Sequence, residues 1–446
     1  MTGQDDSDAS AGTADAVSFV LSDEVASAPE AAIEHAERSL KDTLGAITAG
    51  HQLEETKQVT DYAFETFAEG EATVLDGSGR KLGTEGAVLA NAVAANALDI
   101  DEGHLGSDGH PAAIVVPGAV AVAEEQESTV HELVEATLVG YEIAVRAGTT
   151  RPEVTGYHTG TGSWGPLGTA AAVARLRGLS PETTSQALAI ADFNAPITPI
   201  LRSVANPGSG LTKDGIGWGA YVGITAVEMA ERGLVGSGTS FDDADVTEPT
   251  TLGSEYSITE QYYKPYPGCR WIHAGIDAAR ELRQLYDFDP AEIETVRVHT
   301  FENAIRLATT KPETADAAEY SYPYELAVAL RTGNVVPTDL DASARKDGAV
   351  LDLAEKVTFV HDEDLEARYD EAWLSQIEVE TGEKTYTSDV TYPRGSEQRP
   401  LTDEEFQSKL RTLVDGPLGR GTVDAVSEIV ANGSASVNAL LGYWSA

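Results

Sequence analysis

The chain has 446 residues, 41% of them hydrophobic, one cysteine, and a formal net charge of −43 from 73 acidic against 30 basic residues. That length suits two cores rather than one, a single thiol excludes an intrachain disulfide and a protein-held iron–sulfur cluster, and the acidic balance excludes a nucleic-acid surface, which needs basic patches. The acids run along the whole chain and only ten of the 30 basic residues are lysines. A uniformly acidic surface of this kind points to a halophile with a salty cytoplasm, where the Debye length is about 3 Å at 1 M.

The first 25 residues, opening MTGQDDSDASAGTAD, are acidic and small. They lack the basic and apolar regions of a secretory signal and read as a disordered tail of a cytoplasmic protein. Helical spacing then predicts a helix within 26–50, with Ile33, Leu40, Leu44 and Ile47 on one face. Further helical pattern follows at 60–68, 86–97, 117–125, 130–147, 165–176, 185–191 and 217–232. The 86–97 helix is rich in Ala and apolar on most faces, so it reads as buried. The longest apolar stretch, 112–123, is too short for a membrane span and contains Pro117 and Gly118. Beyond about residue 265 the pattern changes. A helix at 277–285 precedes IETVRVHT, which alternates as a strand, and 353–362 and 372–390 read as β-hairpin material. A helix capped by Thr402 closes the series at 403–414. The expected architecture is mostly α: a large helical domain from both chain ends (26–268 and 399–446), with a smaller α+β lid domain inserted at 269–398.

Three polar clusters carry chemistry. In ALDIDEGHLGSDGHPAA, Asp99, Asp101, Glu102, His104, Asp108 and His110 follow the buried helix directly. Such a cluster is either a solvated loop or a site, and its spacing matches no metal motif. In GYHTGTGSWG, His158 sits in a glycine loop before a helix start whose N–H groups, including that of Gly160, can bind an anion. In KPYPGCRWIH, Lys264, Arg270 and His273 fall within ten residues at the expected domain boundary. The alternative there is a set of surface salt bridges. Lys213 in GSGLTKDG stands out in a lysine-poor chain for the same reason.

With YSYPYELAVAL, these segments form an ordered set that resembles the MmgE/PrpD family, which includes 2-methylcitrate dehydratase, cis-aconitate decarboxylase and iminodisuccinate epimerase. The resemblance runs over roughly residues 30–440. It implies a helical domain plus a lid, a homodimer formed through the helical domain, and no metal or other cofactor. It also implies a pocket lined by Asp99, His110, His158, Lys213, Lys264 and Tyr324, with His104, Gly160, Cys269, Arg270 and His273 binding substrate. Glu102–Gly103 stand where the family often has a Thr, and Cys269 stands where the decarboxylase has a His. These departures count against the decarboxylase and leave dehydratase and epimerase both open. The expected function is a hydro-lyase of the 2-methylcitrate dehydratase type acting on a small anionic polycarboxylate. An epimerase, a decarboxylase and a non-catalytic carboxylate-binding protein are the alternatives. Proton abstraction next to a carboxylate needs a base of near-neutral pKa and fixed positive charge, which His110, His158 and the two lysines supply; Tyr324 would donate a proton or hydrogen bond to a leaving hydroxyl.

Overall fold

The computed structural model describes residues 11–199, 214–243, 248–382 and 384–445. Lys213 lies outside the described residues. The chain is mostly α, as its helical spacing predicts. Its first half runs through α1 (Ala11–Val20), α2 (Glu30–Gly50), α3 (Glu54–Thr66), α4 (Thr84–Asn96), α5 (Pro111–Glu125), α6 (Val130–Thr155), α7 (Pro166–Leu176) and α8 (Pro181–Asn194) to the helix Ile216–Glu231. The Ala- and Val-rich faces of α4, α5, α6 and α7 build one core, and small residues set how closely they approach. A Cβ on Gly140 of α6 would stand 2.8 Å from the Gly168 carbonyl of α7, so this crossing needs glycine on both helices.

The tail reading of residues 1–25 fails from residue 11 onward. Ala11–Val20 is helical, and Ala16, Val17, Phe19 and Val20 are buried in the first core. Thr13 fastens it through hydrogen bonds to Thr239 and Asp242. The apolar run AVSFV outweighs the acidic composition around it.

The second half contains a four-stranded sheet in the order β6-β5-β7-β8: β5 (Ile293–Thr300), β6 (Val357–His361), β7 (Gln376–Thr381) and β8 (Thr385–Thr387). β7 and β8 form the expected hairpin. The 353–362 segment does not. It supplies β6, which lies parallel to β5 with Val296 opposite Val357. A parallel pair needs a crossover, and the helices between Glu302 and Ala354 provide it. The helix Arg270–Leu285 packs on β7, and the buried side chains of both enter a second core. That core also takes in Ala46 and Ala49 of α2, the 97–100 turn and the helix Asp403–Leu418, which returns to pack against α2. Trp444 closes the chain on α2 by donating from its indole nitrogen to Thr48 Oγ1, 2.8 Å away. No helix among the described residues is long and apolar enough to cross a membrane.

Candidate active site

α4 is buried on all sides from Gly86 onward, so the polar residues after it are delivered into the interior rather than to water. The turn is made by Asp99 at φ 48°, a left-handed conformation rare for any residue but glycine. The chain then enters β3 (Gly103–His104), which pairs antiparallel with β4 (Gln261–Tyr262). Gly103 is required here, because a Cβ would stand 2.3 Å from the Tyr262 hydroxyl. This short ladder sets Lys264, two residues beyond β4, against Asp99. α5 begins at Pro111, with His110 at the position before its first turn.

These devices close a charge cluster around His110. Its Nδ1 lies 2.9 Å from Asp101 Oδ2 and 2.9 Å from the Glu102 carbonyl oxygen. Its Nε2 lies 3.3 Å from Asp99 Oδ1 and 3.6 Å from Asp214 Oδ2. Its backbone N–H donates to Thr161 Oγ1 at 3.0 Å. Burial alone would lower the imidazole pKa. The Asp101 carboxylate overrides it, and with Asp99 raises the ring to about 9 against the opposing charge of Lys264. His110 is therefore a cation at neutral pH. Lys264 is 1% exposed, and its ammonium bonds the Asp99 carboxylate and, at 3.0 Å, the Asp99 carbonyl. Ligand atoms of Asp99, Asp101 and His110 lie within 4.8 Å of one another, a spacing that a metal could bridge. The Lys264 ammonium and the His110 ring stand against these same carboxylates. Burial raises Glu102 to about 8, although it accepts from the Ala112 N–H at 2.7 Å and the Tyr141 hydroxyl at 3.0 Å.

Beside the cluster opens a cleft of about 820 Å³, lined by His104, Asp108, His158, Tyr262, Arg270, Trp271, Tyr369 and Trp373 among others. Asp108 links the two regions: burial raises it to about 6, opposed by His158 and His110 and reinforced by Asp214. Arg270 is 4% exposed, sits over the Tyr262 ring at 4.6 Å, and donates to the carbonyls of Arg394 and Pro393. Burial lowers it only to about 10, so it stays charged. His104 is lowered to about 4 by burial and stands neutral at the cleft wall.

Asp99, His110 and Lys264 thus come together, and His104, His158 and Arg270 reach the cleft. Other expectations are corrected. Lys264 faces Asp99 inside the protein, because the β3–β4 ladder turns it inward. The N–H groups of Gly160 and Gly162 are taken by the carbonyls of Thr198 and Asp214, so that loop offers them to no anion. His273 is fully buried, with Nδ1 against Arg270 and Nε2 against the Gly268 carbonyl, and braces the loop instead of binding substrate. Cys269 is 9% exposed and stands just before the helix Arg270–Leu285. Tyr324 points away: its hydroxyl donates to the Asp339 carbonyl at 2.6 Å. Tyr320 is the tyrosine at the cluster. Burial raises its hydroxyl pKa first, and the charges of Asp99, Asp214 and Cys269 add to that. Asp214 and Tyr320 are the site residues that the sequence reading does not name, and Asp101 is named in the acidic cluster but not among the pocket residues.

Two family models match the chain: the MmgE/PrpD N-terminal domain over residues 15–255 and the MmgE/PrpD C-terminal domain over 266–433. The chain is similar to the cis-aconitate decarboxylase-like protein oryM of Aspergillus oryzae, with 25% identity and 96% of each chain covered. It is 25% identical to the cis-aconitate decarboxylase of Aspergillus terreus over 79% of each chain. It is also 25% identical to that of Mus musculus over 89% of this chain and 86% of the relative.

Proposed function

The chain belongs to the MmgE/PrpD family, and from that premise we propose that it is a decarboxylase-type lyase of a small polycarboxylate, with His110 as the proton donor. The observation that carries this is the grip on His110, which keeps the ring charged behind Asp108 of the cleft wall. The two ring nitrogens are held unequally. The Nδ1 proton is locked between Asp101 and the Glu102 carbonyl, while Nε2 has only longer contacts to Asp99 and Asp214. The Nε2 proton is therefore the one to leave, and the neutral ring that remains already has the right tautomer.

In the reaction the bond from carbon to a carboxylate breaks and its electron pair stays on the carbon, delocalised into the adjacent unsaturated carboxylate. CO2 departs, and the Nε2 proton closes the valence. Arg270 and His158 border the cleft, where they offer charge or hydrogen bonds to the carboxylates that remain. Lys264 holds Asp99 in place. The kinship with cis-aconitate decarboxylases favours this reaction.

Dehydration is the second reading. Cys269 favours it, since the resemblance places a His there in the decarboxylase. So does Asp108, a carboxylate at the cleft that burial raises to about 6 and that supplies the base. The same His110 proton would then go to a departing hydroxyl. Proton NMR in molar KCl and D2O, with cis-aconitate and with 2-methylcitrate, separates the two. Decarboxylation gives CO2 and one deuterium on the carbon of the delocalised anion that takes the proton, and dehydration gives a new alkene without CO2. If neither substrate turns over or exchanges a proton with solvent, the lyase reading fails.

A further inference from the structure

The turn that aims Asp99 and Asp101 at opposite nitrogens of His110 is held at two consecutive carbonyls. Lys264 donates to the Asp99 carbonyl at 3.0 Å. Lys409, 309 residues further along than Ile100, donates to the Ile100 carbonyl at 2.8 Å. Lys409 stands on the helix Asp403–Leu418, with its side chain 3% exposed. Its ammonium also pairs with Asp42 of α2 at 2.5 Å.

An ammonium has three donors, and one would suffice for a simple ion pair with Asp42. The second reaches the Ile100–Asp101 peptide, one of the two between the carboxylates that clamp His110. Asp99 is in the left-handed region, which needs outside support to persist. We propose that Lys409 is a positioning residue for His110: by holding the Ile100 carbonyl it fixes the turn that presents Asp99 and Asp101 to the ring. The fold thereby makes proton delivery depend on the docking of a helix close to the end of the chain against α2. The proposal rests on His110 as the proton carrier. It is tested by titrating His110 without substrate, so inactivity toward polycarboxylates would sink the function and leave the titration standing.

The test is the double variant Asp42→Asn/Lys409→Met. It removes one charge of each sign, so the summed charge around His110 is unchanged while the Ile100 carbonyl loses its donor. The titration is followed by carbon-13 NMR of the imidazoles, and the His110 signal is assigned by its loss in His110→Gln. The expected result is a His110 midpoint lower by about one pH unit or more, with melting within a few degrees of the parent. Asp42→Asn/Lys409→Gln has the same charge balance but keeps an amide N–H for the Ile100 carbonyl, and it keeps the midpoint. A Met double variant that titrates like the parent overturns the proposal, as does an equal fall in the Gln double variant. If the Met double variant does not fold, Asp42→Leu/Lys409→Met, an apolar pair of similar size, replaces it with the same readings.

Discussion

The charge on His110 is the quantity on which the proposed chemistry turns, and Asp101→Asn perturbs it directly. The asparagine oxygen can still accept the Nδ1 proton, as the Glu102 carbonyl does. The ring keeps its orientation and loses the carboxylate that raises it most. Raising a histidine from 6.5 to about 9 corresponds to roughly 3 kcal/mol in favour of the charged form, at about 1.4 kcal/mol per pH unit. The folded-state value lies above the unfolded one. The stability it contributes is therefore complete below about pH 6.5, and it is lost as pH rises to about 9. As a general acid, His110 should keep the parent kcat level up to that point, and kcat should then fall about tenfold per pH unit. In Asp101→Asn the fall should begin about two units lower, so that kcat at pH 8 drops about tenfold. Two measurements check this: kcat against pH from 5 to 10, and urea unfolding at pH 6 and pH 9.5. An unchanged alkaline limb in Asp101→Asn refutes the assignment of His110 as donor. So does a parent whose His110 titrates near 6.5.

Lys264→Met leaves Asp99 buried without its ammonium and should cost about 3–5 kcal/mol of stability, read by denaturant unfolding; a loss within 1 kcal/mol shows the pair to be dispensable. Tyr320→Phe should lower kcat about tenfold or more, whereas Tyr324→Phe should leave kcat unchanged and cost about 1 kcal/mol for the bond to Asp339; the reverse pattern would restore Tyr324 to the site. With −43 charges repelling one another, the melting temperature should rise by several degrees between dilute buffer and molar KCl, and a flat response removes the case for a high-salt protein. Activity should survive a chelator, because the Lys264 ammonium and the imidazolium supply the cationic charge of the Asp99 cluster; complete loss, restored by one divalent ion, contradicts that account.

Legibility followed the range of the interaction. Helical spacing is a local signal, and it located the helices of the first half from α2 onward with errors at their ends, but it missed α1 within the expected tail. The α4 helix and the acidic cluster behind it were readable because a side chain such as Asp101 must find partners when the preceding helix is buried on all faces. The β5–β6 pairing was not readable as parallel, since a strand's pattern says which face is buried and nothing about the direction of its neighbour. Tyr320 and Tyr324 show the same limit at the site. They are four residues apart in one motif, but the backbone passes from the end of the short helix Ala315–Glu319 to a new start at Ser321, so helical periodicity does not carry across. Tyr320 faces Asp99 and Tyr324 faces Asp339.

The lysines carry this furthest. In a chain so poor in lysine, Lys264 was conspicuous for its neighbours in sequence, and it does reach the site. It reaches Asp99, because buried carboxylates drawn this close require a cation of their own before they can serve a substrate. Lys409 lay in an ordinary amphipathic helix with nothing to mark it. Only the return of that helix to α2 shows that its ammonium ends at Ile100, between the two aspartates. The sequence therefore displays the groups that carry charge at the reaction centre. The groups that fix where those charges point become visible only once the chain ends meet.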